Sequence, residues 1–268
     1  MKKKIGFIGA GNMGTAMLKG IIGNGLATND EVIASCHSES TQKKVSEELG
    51  IEVTLDNKQA ANADIVFLAV KPAVLPEVAR QVKPELSEGQ LIISVAAGFD
   101  LKKLHFILGG DLHIIRTMPN TPAMVGEAMS ALCTDEKVTD SEKEEALALF
   151  NSFGKAEFVD EKLMDAVTGV SGSSPAFIYM IIEAMADAAV AEGMPRKQAY
   201  VFAAQSVLGS AKMVLETGKH PGELKDAVTS PAGTTIEGVA ALERDGLRQA
   251  MIDAVRTAAS KSREMSQN

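Results

Sequence analysis

Cysteine is scarce in this chain: Cys36 and Cys133 are the only two in 268 residues. Two cysteines placed so make neither a disulfide framework nor a metal-site spacing. Histidine is nearly as rare, and His37, His105, His113 and His220 are scattered without forming a ligand pair, so no metal is expected. Positive charge is also short: 27 Lys and Arg stand against 35 Asp and Glu, for a formal net charge of -8. Neither half of the chain is basic, which argues against nucleic acid and anionic membrane as partners. Long apolar runs are missing as well. The apolar segment after Lys2, Lys3 and Lys4 is short and broken by glycines, unlike a secretory signal, and the lysines read as a solvated lead-in to a strand. The longest apolar run of the second half, residues 176–182, ends at Glu183 and reads as too short to span a bilayer. The expectation is a cytoplasmic protein.

What the chain does contain begins at residue 4. A short apolar run enters Gly9-x-Gly11-x-x-Gly14, and helical spacing follows from Thr15. Strand, tight turn and helix start in that order are the setting in which such glycines bind a dinucleotide. Gly9 permits the turn, Gly11 lets a pyrophosphate approach the backbone, and Gly14 lets the helix pack on the strand. The N–H groups that open the helix form an anion site. Strand and helix signals then alternate. Strands are expected at 31–35, 51–53, 64–70, 91–95 and 112–116, and helices at 38–49 and 57–63. Uninterrupted apolar strands fit a parallel sheet covered on both faces, so the fold class is α/β with a doubly wound, Rossmann-type sheet. Ligands of such sheets bind beyond the carboxyl ends of the strands. That rule singles out Ala69, Val70, Lys71 and Pro72, then residues 95–98, then residues 118–122.

Strand signals stop near residue 160, which divides the chain into a dinucleotide-binding domain, 1–160, and an all-α domain, 161–268. A helix over 175–192 is apolar nearly all round and is expected to be buried on several sides. A second long helix over 196–217 is closed by Gly218. So much apolar surface in about 105 residues implies a partner subunit, most simply a symmetric dimer. Two hydroxyl-rich turns, 169–175 and 230–235, each read as opening a helix with free backbone N–H groups that could hold a small carboxylate. The end of the second strand reads Ser35, Cys36, His37, Ser38. No carboxylate comes before Glu39 to grip a ribose 2′-hydroxyl, while Lys43 and Lys44 lie a turn beyond, so NADPH is preferred over NADH, with NADH still possible. A dehydrogenase acting on a hydroxy acid would want a lysine or histidine acid/base, for which Lys212 and Lys225 are on offer. A non-catalytic NADPH-binding sensor is the third reading.

The motifs FIGAGNMG (7–14), AVKP (69–72), SVAAG (94–98), MPNTP (118–122), GVSGSSPAF (169–177), AAQSVLGSAKM (203–213) and HPGELKDAVTSPAGTTIEG (220–238) together resemble the pyrroline-5-carboxylate reductase family over essentially the whole chain. The resemblance implies NAD(P)H-dependent reduction of Δ1-pyrroline-5-carboxylate to L-proline, with hydride passing from nicotinamide C4 to imine C5. It also implies a homodimer of interlocked C-terminal domains, with decamers among the family's assemblies. Thr235 matches the threonine that hydrogen-bonds the ring nitrogen, and Ser230 and Thr234 match the carboxylate site, with Gly233 beside them. Ile8, Gly9, Ala10, Gly11, Asn12 and Met13 match cofactor contacts, as do Ser35, Cys36, Asn57 and the segment 69–72. Val95, Ala96 and Ala97 complete that set, with Asn120 beside the nicotinamide. Ser171, Gly172, Ser174 and Pro175 match substrate contacts. Some relatives carry Gly-Gly where this chain has Ala232-Gly233.

Overall fold

The computed structural model describes residues 4–267, so the reading of Lys2 and Lys3 lies outside the described residues. β1 (Ile5–Ile8) turns into α1 (Asn12–Gly23), and the alternation continues through β2 (Val32–Ser35), α2 (Glu39–Leu49), β3 (Glu52–Thr54) and α3 (Asn57–Ala61). It goes on through β4 (Ile65–Leu68), α4 (Leu75–Val82), β5 (Leu91–Ser94), α5 (Leu101–Leu108) and β6 (His113–Met118). β7 (Ala128–Thr134), α6 (Asp140–Asn151) and β8 (Gly154–Phe158) follow. The eight strands form one sheet in the order β3-β2-β1-β4-β5-β6-β7-β8. Every neighbouring pair is parallel except β6 and β7. The first six strands thus have the 3-2-1-4-5-6 order of a dinucleotide-binding sheet, whose strand order reverses between β1 and β4.

The uninterrupted apolar strands are explained by what covers them. Residues of β1, β2, β4 and β5 are buried without exception. On one face Phe7 and Phe67 stack with centroids 4.3 Å apart, and Phe150 and Phe153 extend the cluster. On the other, Ile8, Val66, Leu68 and Ile92 pack with α3, α4 and α5 side chains. Full burial of each such side chain stabilises by about 1.5–3 kcal/mol before conformational entropy is subtracted. β7 and β8 carry no strong apolar run, and sequence reading did not anticipate them. They add an antiparallel return and an edge whose residues are only half-buried or exposed. Arg116 of β6 is 5% exposed and donates to Glu161 Oε1 at 3.0 Å. The same carboxylate accepts the Leu101 N–H at 2.8 Å, which ties β6 to the start of α5.

Beyond β8 the chain is helical: α7 (Met164–Val167), a π-helical turn (Thr168–Gly172), α8 (Ser174–Ala191), α9 (Arg196–Thr217), α10 (Pro221–Val228), α11 (Thr234–Arg244) and α12 (Leu247–Gln267). Two compact units result, Met1–Ser173 with Ala258–Asn268, and Ser174–Thr257. In the second unit α8 and α9 pack together through Ala186, Ala199 and Ala203, with Ile182, Val190 and Met194 at the margin. The expected burial of α8 on several sides is not supplied within this unit. Tyr179, Met180 and Met185 are 59%, 69% and 42% exposed. The apolar run 176–182 is short, as read, but the helix that contains it is longer. The helical stretch Glu161–Ala191 is 31 residues long and holds an 18-residue window of mean hydropathy 1.4, enough to cross a membrane by length and composition alone. Glu183 ends the apolar run but not the helix, which carries Glu183 and Asp187 within it.

Candidate functional site

The glycine turn is fixed to the end of β2. Gly9 and Ala10 donate their N–H groups to Ser35 O at 3.0 and 2.9 Å. A Cβ on Gly9 would lie 2.6 Å from Ala69 O, and one on Gly14 would lie 2.2 Å from Gly9 O, so both glycines are demanded by packing. Gly11 differs: nothing lies within 4 Å of the position its Cβ would take. The space above it is open to a ligand. α1 has no side-chain cap and no acidic residue in its first turn, so its N-terminal N–H groups are not claimed by a carboxylate. A pyrophosphate fits this cradle.

A cleft of about 710 Å³ opens beyond the strand ends where the strand order reverses. It brings together Gly9, Ala10, Gly11, Cys36, Asn57, Ala69, Val70 and Lys71, all expected there from sequence. His37, Thr41 and Leu55 join them, with Val74 just ahead of α4, and α4 adds Glu77, Val78 and Gln81. The α4 residues were missed because sequence reading stopped at the loop after each strand. The signal was available, for Glu77 and Gln81 are four apart and so share a helix face. A smaller cavity of about 230 Å³ adjoins the same turn, lined by Asn12, Thr15, Lys19 and Lys44 among others. Lys43 pairs with Glu47 at 3.9 Å, and Lys19 pairs with Glu48.

Several expected contacts lie behind the cleft wall. Ile8 is fully buried, and its carbonyl accepts the Ala69 N–H at 2.8 Å. Ser35 is fully buried, and its hydroxyl donates to Asn57 Oδ1 at 2.8 Å. Val95 donates its N–H to Leu68 O at 3.1 Å, and the Ala96 N–H is held by Ser94 Oγ at 3.4 Å. Met13, Pro72 and Ala97 are half-buried and flank these segments. Burial pushes the Cys36 thiol above its ordinary range, while its S–H donates to Ser38 O at 3.4 Å. Burial likewise pushes Cys133 up to about 12, so neither thiol is a nucleophile near neutral pH.

Asn120 is 9% exposed, and both ends of its amide are engaged. Oδ1 accepts the Met129 N–H at 2.9 Å, and Nδ2 donates to Ser171 O at 3.1 Å. It therefore clamps the start of β7 to the π-helical turn. That turn takes up the first part of the 169–175 segment, and the expected helix opens after it at Ser174. Ser173 donates its N–H to Thr168 O at 2.8 Å, and the Ser171 hydroxyl donates to Val167 O at 3.2 Å. These groups are thus turned to internal bonds, and Ser171 and Gly172 sit in a π turn, a feature often found at functional sites. Ser174 and Pro175 open α8 in the second unit.

The second expected turn is present. Ser230, Pro231, Ala232 and Gly233 bring the chain into α11, with Gly233 N–H donating to Ser230 O at 3.1 Å. Gly233 is packed against Ser230, whose Oγ would lie 2.3 Å from an added Cβ. Ala232 has φ 56°, the only positive φ outside glycine among the described residues. In this unit Ser210, Thr217 and Thr229 bond their hydroxyls to carbonyls three or four residues back. Ser230, Thr234 and Thr235 are exposed and make no side-chain hydrogen bond among the described residues. Ser230 lies just before, and Thr234 and Thr235 open, an 11-residue helix whose N-terminus has no side-chain cap. Such a group can hold a carboxylate and donate one more bond to a neighbouring heteroatom. Lys212 pairs with Glu216 and Lys225 with Asp226, both in exposed helical surface.

A sheet with this strand order, a glycine turn open above Gly11 and a helical second part define the class: a Rossmann-type, nucleotide-dependent oxidoreductase. Residues 4–98 match the family described as NADP oxidoreductase, coenzyme F420-dependent, and residues 161–265 match pyrroline-5-carboxylate reductase dimerisation. The chain is 47% identical over 269 residues to the pyrroline-5-carboxylate reductase of Escherichia coli (strain K12), covering 100% of both. The solved pyrroline-5-carboxylate reductase of Coxiella burnetii superposes with TM-score 0.92 at 35% identity, covering 100% of both chains. The Plasmodium falciparum enzyme, solved with NADP bound, superposes with TM-score 0.88 at 32% identity and covers 98% of each. The chain belongs to the pyrroline-5-carboxylate reductase family.

Proposed function

We propose that the two sites divide the reaction as follows. The protein reduces Δ1-pyrroline-5-carboxylate to L-proline with NADPH, and NADH is an alternative donor. When bound, the reduced nicotinamide supplies a hydride from C4 to imine C5. Gly9 to Met13 and the N-terminus of α1 hold the pyrophosphate. Cys36 and Asn57 line the adenosine side with the buried Ser35 held behind Asn57, residues 69–72 line the crevice, and residues 95–97 back it. Asn120 acts by holding the π turn in place, and Ser171, Gly172, Ser174 and Pro175 flank the substrate.

The observation that carries the substrate reading is the set of free hydroxyls at the start of α11. Ser230, Thr234 and the adjoining N–H groups bind the substrate carboxylate. The Thr235 hydroxyl donates to the ring nitrogen, orienting it as the imine becomes an amine. Little more is required of the protein, because hydride transfer depends chiefly on orientation and a stabilised heteroatom. The functional division is residues 1–160 for the dinucleotide and 161–268 for substrate and dimerisation. A cytoplasmic homodimer, with decamers as a higher assembly and neither nucleic acid nor membrane as partner, completes the reading. The exposed apolar residues of α8 and α9 support the dimer.

The test is NADPH oxidation on adding pyrroline-5-carboxylate, run beside Thr235→Ala. Losing one positioned donor lowers kcat by roughly 10²-fold or less for so reactive an acceptor, and NADPH affinity should stay within about twofold. Full turnover in the variant, or loss of NADPH affinity, would remove Thr235 from this role. A sensor would bind NADPH and oxidise none with any imine.

A further inference from the structure

A chain of amides crosses the dinucleotide cleft and ends on a carboxylate. The buried Ser35 hydroxyl donates to Asn57 Oδ1 at 2.8 Å, Asn57 Nδ2 donates to Gln81 Oε1 at 2.9 Å, and Gln81 Nε2 donates to Glu77 Oε1 at 3.4 Å. Asn57, Gln81 and Glu77 all line the cleft. An amide can be turned over, so the chain has two possible directions. In the reverse direction Asn57 would donate to Ser35 Oγ, and Ser35 would donate to Phe7 O, which lies 3.5 Å away. Gln81 would then donate to Asn57 and turn its own carbonyl toward Glu77. An ionised carboxylate only accepts, so that last contact is repulsive. Glu77 thereby breaks the tie. It makes Gln81 present oxygen to Asn57 and makes Asn57 present its NH₂ on the cleft side.

We propose that Gln81 and Glu77 are specificity-determining positioning residues, which hold the Asn57 amide donor-outward and so favour the 2′-phosphate of NADP(H) over the 2′-hydroxyl of NAD(H). This rests on the dinucleotide reading of the same cleft. A phosphate only accepts hydrogen bonds, whereas a hydroxyl adapts to either direction of the amide. The orientation therefore matters to one cofactor and not to the other. No carboxylate at the end of β2 opposes the phosphate. Glu77 stands across the cleft on α4, and its effect through Gln81 is opposite in sign to its bare charge.

The experiment is calorimetric titration of the full-length protein with NADP⁺ and NAD⁺, and with 2′,5′-ADP and 5′-AMP to isolate the 2′ group. Wild type, Glu77→Gln and Gln81→Leu are compared. Each substitution should weaken NADP⁺ and 2′,5′-ADP by about three- to tenfold, the scale of one exposed hydrogen bond. NAD⁺, 5′-AMP and kcat at saturating NADPH should stay within about twofold. Equal weakening of both cofactors would mean a merely structural role and overturn the proposal. Tighter NADP⁺ binding by Glu77→Gln would also overturn it, since Glu77 would then act only as a repelling charge. Failure of wild type to bind any of the four probes would instead refute the dinucleotide reading itself.

Discussion

In the sheet unit Phe7, Phe67, Phe150 and Phe153 are at most 1% exposed, whereas in the helical unit Tyr179, Met180, Val201 and Phe202 are each more than half exposed. Both units are rich in apolar side chains, but only the sheet closes over its own. Helices on both faces leave every non-glycine residue of β1, β4 and β5 at most 4% exposed. The helical unit encloses little more than Ala186, Ala199 and Ala203 among fully covered apolar residues. Large apolar side chains exposed in such number point to an association face. The match of residues 161–265 to a dimerisation family accounts for it and for the membrane-like hydropathy of Glu161–Ala191. The first unit thus covers its own apolar core, while the second leaves apolar side chains exposed in the part of the chain that matches a dimerisation family.

That contrast can be broken most severely at the helical face. Met180→Lys combined with Phe202→Asp should weaken self-association by roughly a hundredfold or more, since central apolar anchors dominate interface energy. Sedimentation of the variant as dimer at micromolar concentration would sink the idea. In the sheet unit a large effect is expected from Gly14→Ala, whose methyl would meet Gly9 O. Overpacking of this kind costs about 1–3 kcal/mol, read as a lower urea midpoint at any protein concentration.

Gly11→Ala sharpens the comparison within one turn. With no atom inside 4 Å of the added methyl, stability should change by less than about 0.5 kcal/mol. NADPH affinity should fall at least tenfold because the pyrophosphate is held off the backbone. If Gly11→Ala unfolds the protein while binding NADPH normally, the assignment of the open space above this turn is wrong. The smallest effect is expected at Ala232. Its left-handed backbone costs about 1–2 kcal/mol in a residue with a Cβ. Replacement by Gly loosens the unfolded chain by about 0.4–1 kcal/mol. Ala232→Gly should therefore stabilise by about 0.5–1 kcal/mol in the dimer; a loss of stability would show that Ala232 is not strained there.

Much of the first unit was legible because burial on both faces writes an unbroken apolar run into the sequence, as in residues 65–68 and 91–94. The glycine turn was legible because its spacing follows from backbone sterics. β7 and β8 were not, since β7 breaks its apolar residues with Ser130 and Thr134 and the half-exposed edge strand β8 needs no such run. The 169–175 segment was legible only in part. Gly, Ser and Pro read locally as a helix start, and α8 does open at Ser174, but Ser171 and Ser173 are satisfied by a π turn that Asn120 anchors from 51 residues away. No local pattern carries a contact of that range. Glu77 and Gln81 entered the cleft only when β4 and α4 placed them opposite Asn57.

By itself the sequence determined the alternation of strand and helix, the phosphate-binding turn, the lack of a carboxylate after β2 and the hydroxyl-rich approach to α11. Each follows from chemistry within a few residues of chain. Tertiary structure alone decided which hydroxyls were left free, which amides were locked, and which apolar faces lacked cover. Those outcomes depend on what the fold brings alongside a residue, and hydrogen-bond satisfaction and burial are properties of neighbours in space.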